Sequence, residues 1–123
     1  MDIAKIVSQD EGEWFDLVGD ARVKIKPLNP KVAKRLVKRC TTIKWKKGRK
    51  IDDVDIDKVQ VLIAQEVVIA WEKIDKDGQP MECTPENIKY LTNNLGIFNR
   101  LIDDALDDVE ESLAKSNEEA EKN

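Results

Sequence analysis

Aspartates crowd two short stretches of this chain, Asp52 to Asp57 and Asp75-Lys76-Asp77-Gly78. Clustered carboxylates are the side chains that hold calcium, so both stretches are tested first for that chemistry. A calcium loop needs glycine at its sixth position, for the sharp turn, and a bidentate glutamate at its twelfth. The first stretch has neither. In the register that Gly78 would fix for the second, Lys73 falls at the first position and Thr84 at the twelfth, and neither can do the work. The first cluster reads instead as acids favoured at a helix N-terminus, and Asp77-Gly78 as a tight turn. Nucleophilic catalysis fares no better. Ser8, Ser112 and Ser116 lack a glycine-flanked elbow, and the chain contains no histidine to serve as a base. Cys40 and Cys83 are the only cysteines, far apart in sequence, and are expected as free thiols. The expectation is a protein that is not an enzyme, with no catalytic residue, no metal ligand and no cofactor.

Charge is the chemistry that remains. From Ala21 to Lys50 there are thirteen Lys or Arg and no acid, which leaves eight bases against 25 acids elsewhere. From Leu101 to Asn123 there are nine acids and two bases. A basic front half and an acidic tail on a chain of net charge −4 suit head-to-tail pairing between copies. The same basic stretch suits phosphate, although the sequence pI near 5.0 is acidic.

These charges ride on elements whose periods can be read. At 123 residues and 41% hydrophobic, the chain is long and apolar enough for one domain with a core. No apolar run approaches the roughly 20 residues that cross a bilayer, and Met1-Asp2-Ile3 does not begin a signal peptide, so a soluble, intracellular protein is expected. Residues 1–12 read as a flexible lead-in. Alternation of Ala21, Val23 and Ile25 with Arg22, Lys24 and Lys26 after Gly19-Asp20 predicts a β-hairpin over 13–27. Four helices are predicted to follow, at about 30–46, 55–72, 85–94 and 97–115, with a frayed acidic tail over 116–123. Asn29-Pro30 and Thr84-Pro85-Glu86 are helix starts, and Gly48 is expected to end the first helix. The second is apolar on nearly every side and is either a central core helix or one that lends a face to a partner. The last carries Ile97, Phe98, Leu101, Ile102, Ala105, Val109 and Leu113 as one stripe, with acids opposite. The fold class is α+β, mostly α, with an N-terminal β-hairpin and about four helices in a single domain spanning 13–115.

The run from Trp71 to Leu106, WEKIDKDGQPMECTPENIKYLTNNLGIFNRLIDDAL, resembles the carboxy-terminal pattern of siphophage and prophage tail assembly chaperones. The matching features are an apolar helix ending in Trp71, an Asp-x-x-Gly-like turn and a Thr-Pro-Glu-Asn helix start at Thr84 to Asn87. After these come a leucine-bearing helix, a bend, and a last helix with the pairs Ile97-Phe98 and Leu101-Ile102. The hairpin FDLVGDARVKIKPLNP before a charged helix also fits, so the resemblance covers roughly Trp14 to Val109. The lysine-rich run Lys44 to Lys50 has no counterpart in the pattern.

The resemblance implies a non-virion assembly factor in the cytoplasm of the infected or lysogenic bacterial host. Its partner would be the tape-measure protein, which it would keep soluble while tail-tube subunits polymerise. It also implies a longer product made by a backward ribosomal slip, with Glu121-Lys122-Asn123 as the candidate slip site. The candidate partner or self-association surface is Lys34, Arg35, Lys38, Arg39, Val61, Val68, Asp103, Asp104, Asp107 and Asp108. The alternative is a small nucleic-acid-binding protein that uses the basic segment 22–50.

Overall fold

The computed structural model describes residues 12–107. The lead-in before Gly12, the acidic tail, Val109 and Leu113 lie outside the described residues. Strands β1 (Glu13–Val18) and β2 (Ala21–Ile25) form the expected antiparallel hairpin, turning at Gly19-Asp20. The alternation does what its period requires: Ala21, Val23 and Ile25 are buried, while Arg22 is exposed. On that wet face Arg22 lies 5.1 Å over the Trp14 ring and 2.6 Å from the Glu72 carboxylate. Gly12 enters β1 at φ +94°, and a Cβ there would stand 2.7 Å from the Ile25 carbonyl oxygen, so only glycine fits.

Helix α1 (Pro30–Arg39) starts as predicted, with the Asn29 side chain accepting from the Lys31 N–H at 2.8 Å. It does not continue to residue 46. Thr41, Thr42 and Ile43 are β-branched, the Thr41 hydroxyl donates back to the Val37 carbonyl, and the chain turns extended. Strands β3 (Thr41–Lys46) and β4 (Arg49–Val54) then pair over six positions around Lys47-Gly48. Both turn residues have positive φ, 53° and 75°, as a two-residue hairpin turn requires. Gly48 therefore turns a hairpin and does not end a helix, and Asp52 and Asp53 sit on a strand.

Helix α2 (Ile56–Val67) begins at Asp55, whose side chain accepts from the Lys58 N–H at 3.1 Å, with Asp57 in the first turn. Of the clustered acids, these two alone have the helix-start role expected. The predicted helix over 55–72 stops at Val67, and β5 (Val68–Glu72) pairs with β2 to make a three-stranded sheet of order β1-β2-β5. The surplus of apolar residues in that stretch was two elements in series. A helix ends where Val68, Ile69 and Trp71, strong strand formers, meet the open edge of β2.

A small hairpin follows, β6 (Asp75–Lys76) with β7 (Gln79–Pro80), around Asp77-Gly78. It keeps the predicted turn. Helix α3 (Pro85–Asn94) has the predicted bounds and is capped by the Thr84 hydroxyl. The chain breaks at Leu95 and resumes as α4 over 96–107.

The core lies between the inner face of the sheet and α2, α3 and α4. Val23, Ile25, Val67 and Phe98 are fully buried at its centre. Trp71 meets Phe98 edge-to-face at 6.3 Å and donates its indole N–H to the Met81 carbonyl. The Asn99 amide donates to the Thr92 carbonyl at 2.8 Å and ties α4 to α3 across the break. Cys40 is buried and Cys83 half-buried, both as free thiols, and burial pushes the Cys83 thiol pKa up.

Candidate docking surface

Among the described residues, the β3–β4 hairpin is the longest stretch of strand that its own chain leaves uncovered. Eleven of its twelve strand residues are exposed. It is closed at its foot by the Asp55 N–H donating to the Cys40 carbonyl at 2.9 Å. Cross-strand partners share a face, so the register places Ile43, Trp45 and Val54 together with Thr41, Lys50 and Asp52. The opposite face carries Lys44, Lys46, Arg49 and Ile51, with Thr42 and Asp53. Trp45 is 73% exposed and Ile43 56%, large apolar side chains at the end of a projecting ribbon. Their face runs on into a shallow groove of about 440 Å³ beside α1, with Ala33, Val37 and Thr41 among its lining.

Cations surround this face. Lys34, Arg35, Lys38 and Arg39 lie exposed on α1. Lys46, Lys47, Arg49 and Lys50 crowd the hairpin tip. Lys44 is held 2.8 Å from Asp53, and that carboxylate, by hydrogen bond and by charge, raises the lysine pKa. An ion pair so open to water contributes little to stability.

The acids stand elsewhere. Asp103, Asp104 and Asp107 share the outward side of α4, where partial burial and then repulsion from Asp104 and Asp107 push the Asp103 carboxyl above its ordinary range. Asp108 lies outside the described residues. Among the described residues the ion pairs are Arg22–Glu72, Lys26–Glu66 and Lys44–Asp53, so none joins the acids of α4 to the cations of α1 or of the hairpin.

Comparison with known proteins gives no relative. No family model, curated protein or solved structure matches the chain. The surface must therefore be read from its own geometry.

Two of the predicted surface residues are corrected by that geometry. Val61 and Val68 are buried in the protein's own core, at 9% and 4% exposure. Most of the apolar excess that suggested a face for a partner is consumed within the fold, by α3 and the sheet, although Ile69 stays 40% exposed. Among the exposed apolar residues that the sequence reading passed over are Ile43 and Trp45 on the hairpin, with Val18 and Ile56 exposed to a similar degree elsewhere. Part of the signal for Ile43 and Trp45 was present: Thr-Thr-Ile-Lys-Trp-Lys alternates apolar and polar residues before a Lys-Gly turn, although the second arm, Arg-Lys-Ile-Asp-Asp-Val, does not alternate. Larger clefts lie elsewhere among the described residues, one of about 520 Å³ floored by Leu17, Ala21, Ile74, Met81, Leu91 and Leu95 and another of about 460 Å³ lined by Asp57, Val61, Leu62, Gln65, Lys89 and Asn93. Among the described residues, no three of His, Cys, Asp and Glu are placed to hold a metal ion.

Proposed function

We propose that this protein is a phage tail assembly chaperone that binds the tape-measure protein, helps tail-tube polymerisation and stays out of the virion. The observation that carries the proposal is the ordered pattern from Trp71 to Leu106. Three of its pieces fall on structural junctions: Asp77-Gly78 in the small turn, Thr84 at the cap of α3, and Gly96 at the start of α4; Trp71, where the pattern has the end of a helix, lies next to last in strand β5. In this reading the protein works in the cytoplasm of the bacterial host and holds a largely helical client in a groove or on an exposed face. Self-association in head-to-tail fashion would let several copies line one long client.

Co-expression with the tape-measure protein encoded in the same gene neighbourhood tests the proposal. The expected result is a soluble tape measure that co-purifies with this chain, and insoluble tape measure without it. A tape measure equally soluble alone, with no co-purification, contradicts the proposal.

The second reading, a nucleic-acid-binding protein using residues 22–50, is favoured by one specific feature. A two-stranded ribbon with a cationic tip has the shape that a major groove admits. Against it, Asp52, Asp53, Asp55 and Asp57 stand exposed on the ribbon and at its foot, where they would repel phosphates.

A further inference from the structure

We infer that the β3–β4 hairpin is a docking arm for a second copy of this chain, its cationic tip and Trp45 face seating on the acidic outward side of α4 in the neighbour. This rests on the self-association within the proposed function but needs neither tape measure nor phage for its test.

The arm is exposed in a way that its own fold does not explain. An isolated two-stranded hairpin is marginally stable in water and normally needs a further strand or a packed helix. Here the ribbon has neither, yet it carries Ile43, Trp45, Ile51 and Val54 in exposed positions. Aromatic side chains displayed in this way are typical anchors of protein contacts.

Charge complementarity selects the occupant. The arm from Thr41 to Val54 holds five Lys or Arg against two Asp, and the adjoining α1 holds five cations and no acid. Within the described residues, α4 is the helix that displays three acids on its outward side. Those acids, Asp103, Asp104 and Asp107, lack cationic partners among the described residues. Partial burial first, and then repulsion from Asp104 and Asp107, disfavours the charge on Asp103. Cations from another copy would relieve that repulsion. Ile97, expected on the buried stripe opposite the acids, is instead 43% exposed; seven residues before Asp104, it lies on the same side of α4 as that acid and offers Trp45 an apolar contact. Arg100 lies between them on this side, which directs the arm's cations toward the C-terminal half of the helix.

The arm and the α4 face are different surfaces, so the contact is heterologous and adds copies in a row or ring. The aliphatic content of the ribbon and the aspartates at its foot favour a protein surface over a phosphate backbone.

Sedimentation velocity on the full chain tests the arm, at ~0.1 M and ~1 M salt, where the Debye length falls from ~10 Å to ~3 Å. Wild type should assemble at the lower salt and dissociate at the higher. One variant carries K46E, K47E, R49E and K50E, and a second carries D103K, D104K and D107K. Each, confirmed folded by its thermal transition, should associate about tenfold more weakly or worse. Mixing the two should restore assembly, because each reversed surface then meets an opposite charge in its partner. Trp45→Ala should weaken association without changing its salt dependence. A wild-type monomer at high concentration and low salt overturns the inference, as does assembly indifferent to the arm variant or a mixture that stays monomeric. Salt-sensitive retention of duplex DNA that the arm variant loses would assign the arm to nucleic acid and likewise overturn it. Tape-measure co-purification is read separately, so either proposal can fail while the other stands.

Discussion

The two longer hairpins of this fold, β1–β2 and β3–β4, have similar strands and opposite fates. β1–β2 turns at Gly19-Asp20 and sends every second residue of β2 into the core, where Val23 and Ile25 reach zero exposure. β3–β4 turns at Lys47-Gly48 with the same period and buries almost nothing, leaving Trp45 at 73%. The difference is not strand propensity. β2 has β5 on its far edge and three helices against its inner face, whereas the ribbon of β3 and β4 has neither a third strand nor a covering layer. Alternation in a sequence reports that a strand has two faces, but not that either face is covered.

Substitutions in the two regions should therefore separate widely. Phe98→Ala removes a fully buried ring that touches Trp71, and should cost about 3–5 kcal/mol in a denaturant titration. Trp45→Ala removes an even larger side chain from the arm, and in the monomer should stay within about 0.5 kcal/mol. Equal costs would break the comparison, because they would mean that the arm packs on the body.

Gly12→Ala should come next, at about 1–3 kcal/mol, since φ is positive and the Ile25 carbonyl occupies the place of a Cβ. Gly48→Ala shares the positive φ but meets open space. Its cost should be confined to the arm, seen as faster amide exchange from Thr41 to Val54 with the global midpoint unchanged. Thr84→Ala removes the cap of α3 and should lower stability by about 1 kcal/mol, read by the same titration.

Much of the body was legible because its signals were local and agreed with one another. Asn29-Pro30 and Thr84-Pro85 are helix starts that the structure keeps, and α3 has the predicted bounds. The α+β class and the N-terminal hairpin also stand. What was misread are the two places where one element hands over to another without proline or an obvious break. The apolar stripe of α1 runs through Cys40 toward Ile43, so helical spacing and strand alternation overlap for several residues. The apolar excess from Val59 to Trp71 hid a helix-to-strand change in the same way, and Val68 went to the sheet because β2 offered an unpaired edge. An open edge is a tertiary fact that no window of sequence contains. For the surface, the cations of α1 and the exposed acids of α4 were readable from helical spacing. Val61 and Val68 were not, because an apolar face looks alike whether it awaits a partner or packs inside. The ribbon was missed with its helix-to-strand switch, and Trp45 with it.

The smallest effect sharpens the electrostatic side of the comparison. Asp103 has a raised pKa, so its ionised form opposes folding. Its contribution to stability is fully present below the unfolded carboxylate pKa and is lost as pH rises through the folded one. Asp103→Asn should therefore raise the midpoint slightly at neutral pH, by no more than about 0.5 kcal/mol. The gain should fade as pH falls through the carboxylate range, in a series of thermal melts. Destabilisation at neutral pH would contradict the assigned sign.

Removing the arm tests most directly whether body and arm are separable. Residues 43–52 are replaced by Asn-Gly, so that Thr42 and Asp53 still pair around a two-residue turn and the Cys40–Asp55 closure is kept. Thermal unfolding of this variant is then compared with that of the full chain at high salt, where both are expected to be monomeric. The account predicts one cooperative transition with a midpoint within a few degrees of the full chain, about the shift that 1 kcal/mol produces in a domain of this size. A broad or absent transition would contradict it, because the exposed ribbon would then be part of what holds the body together.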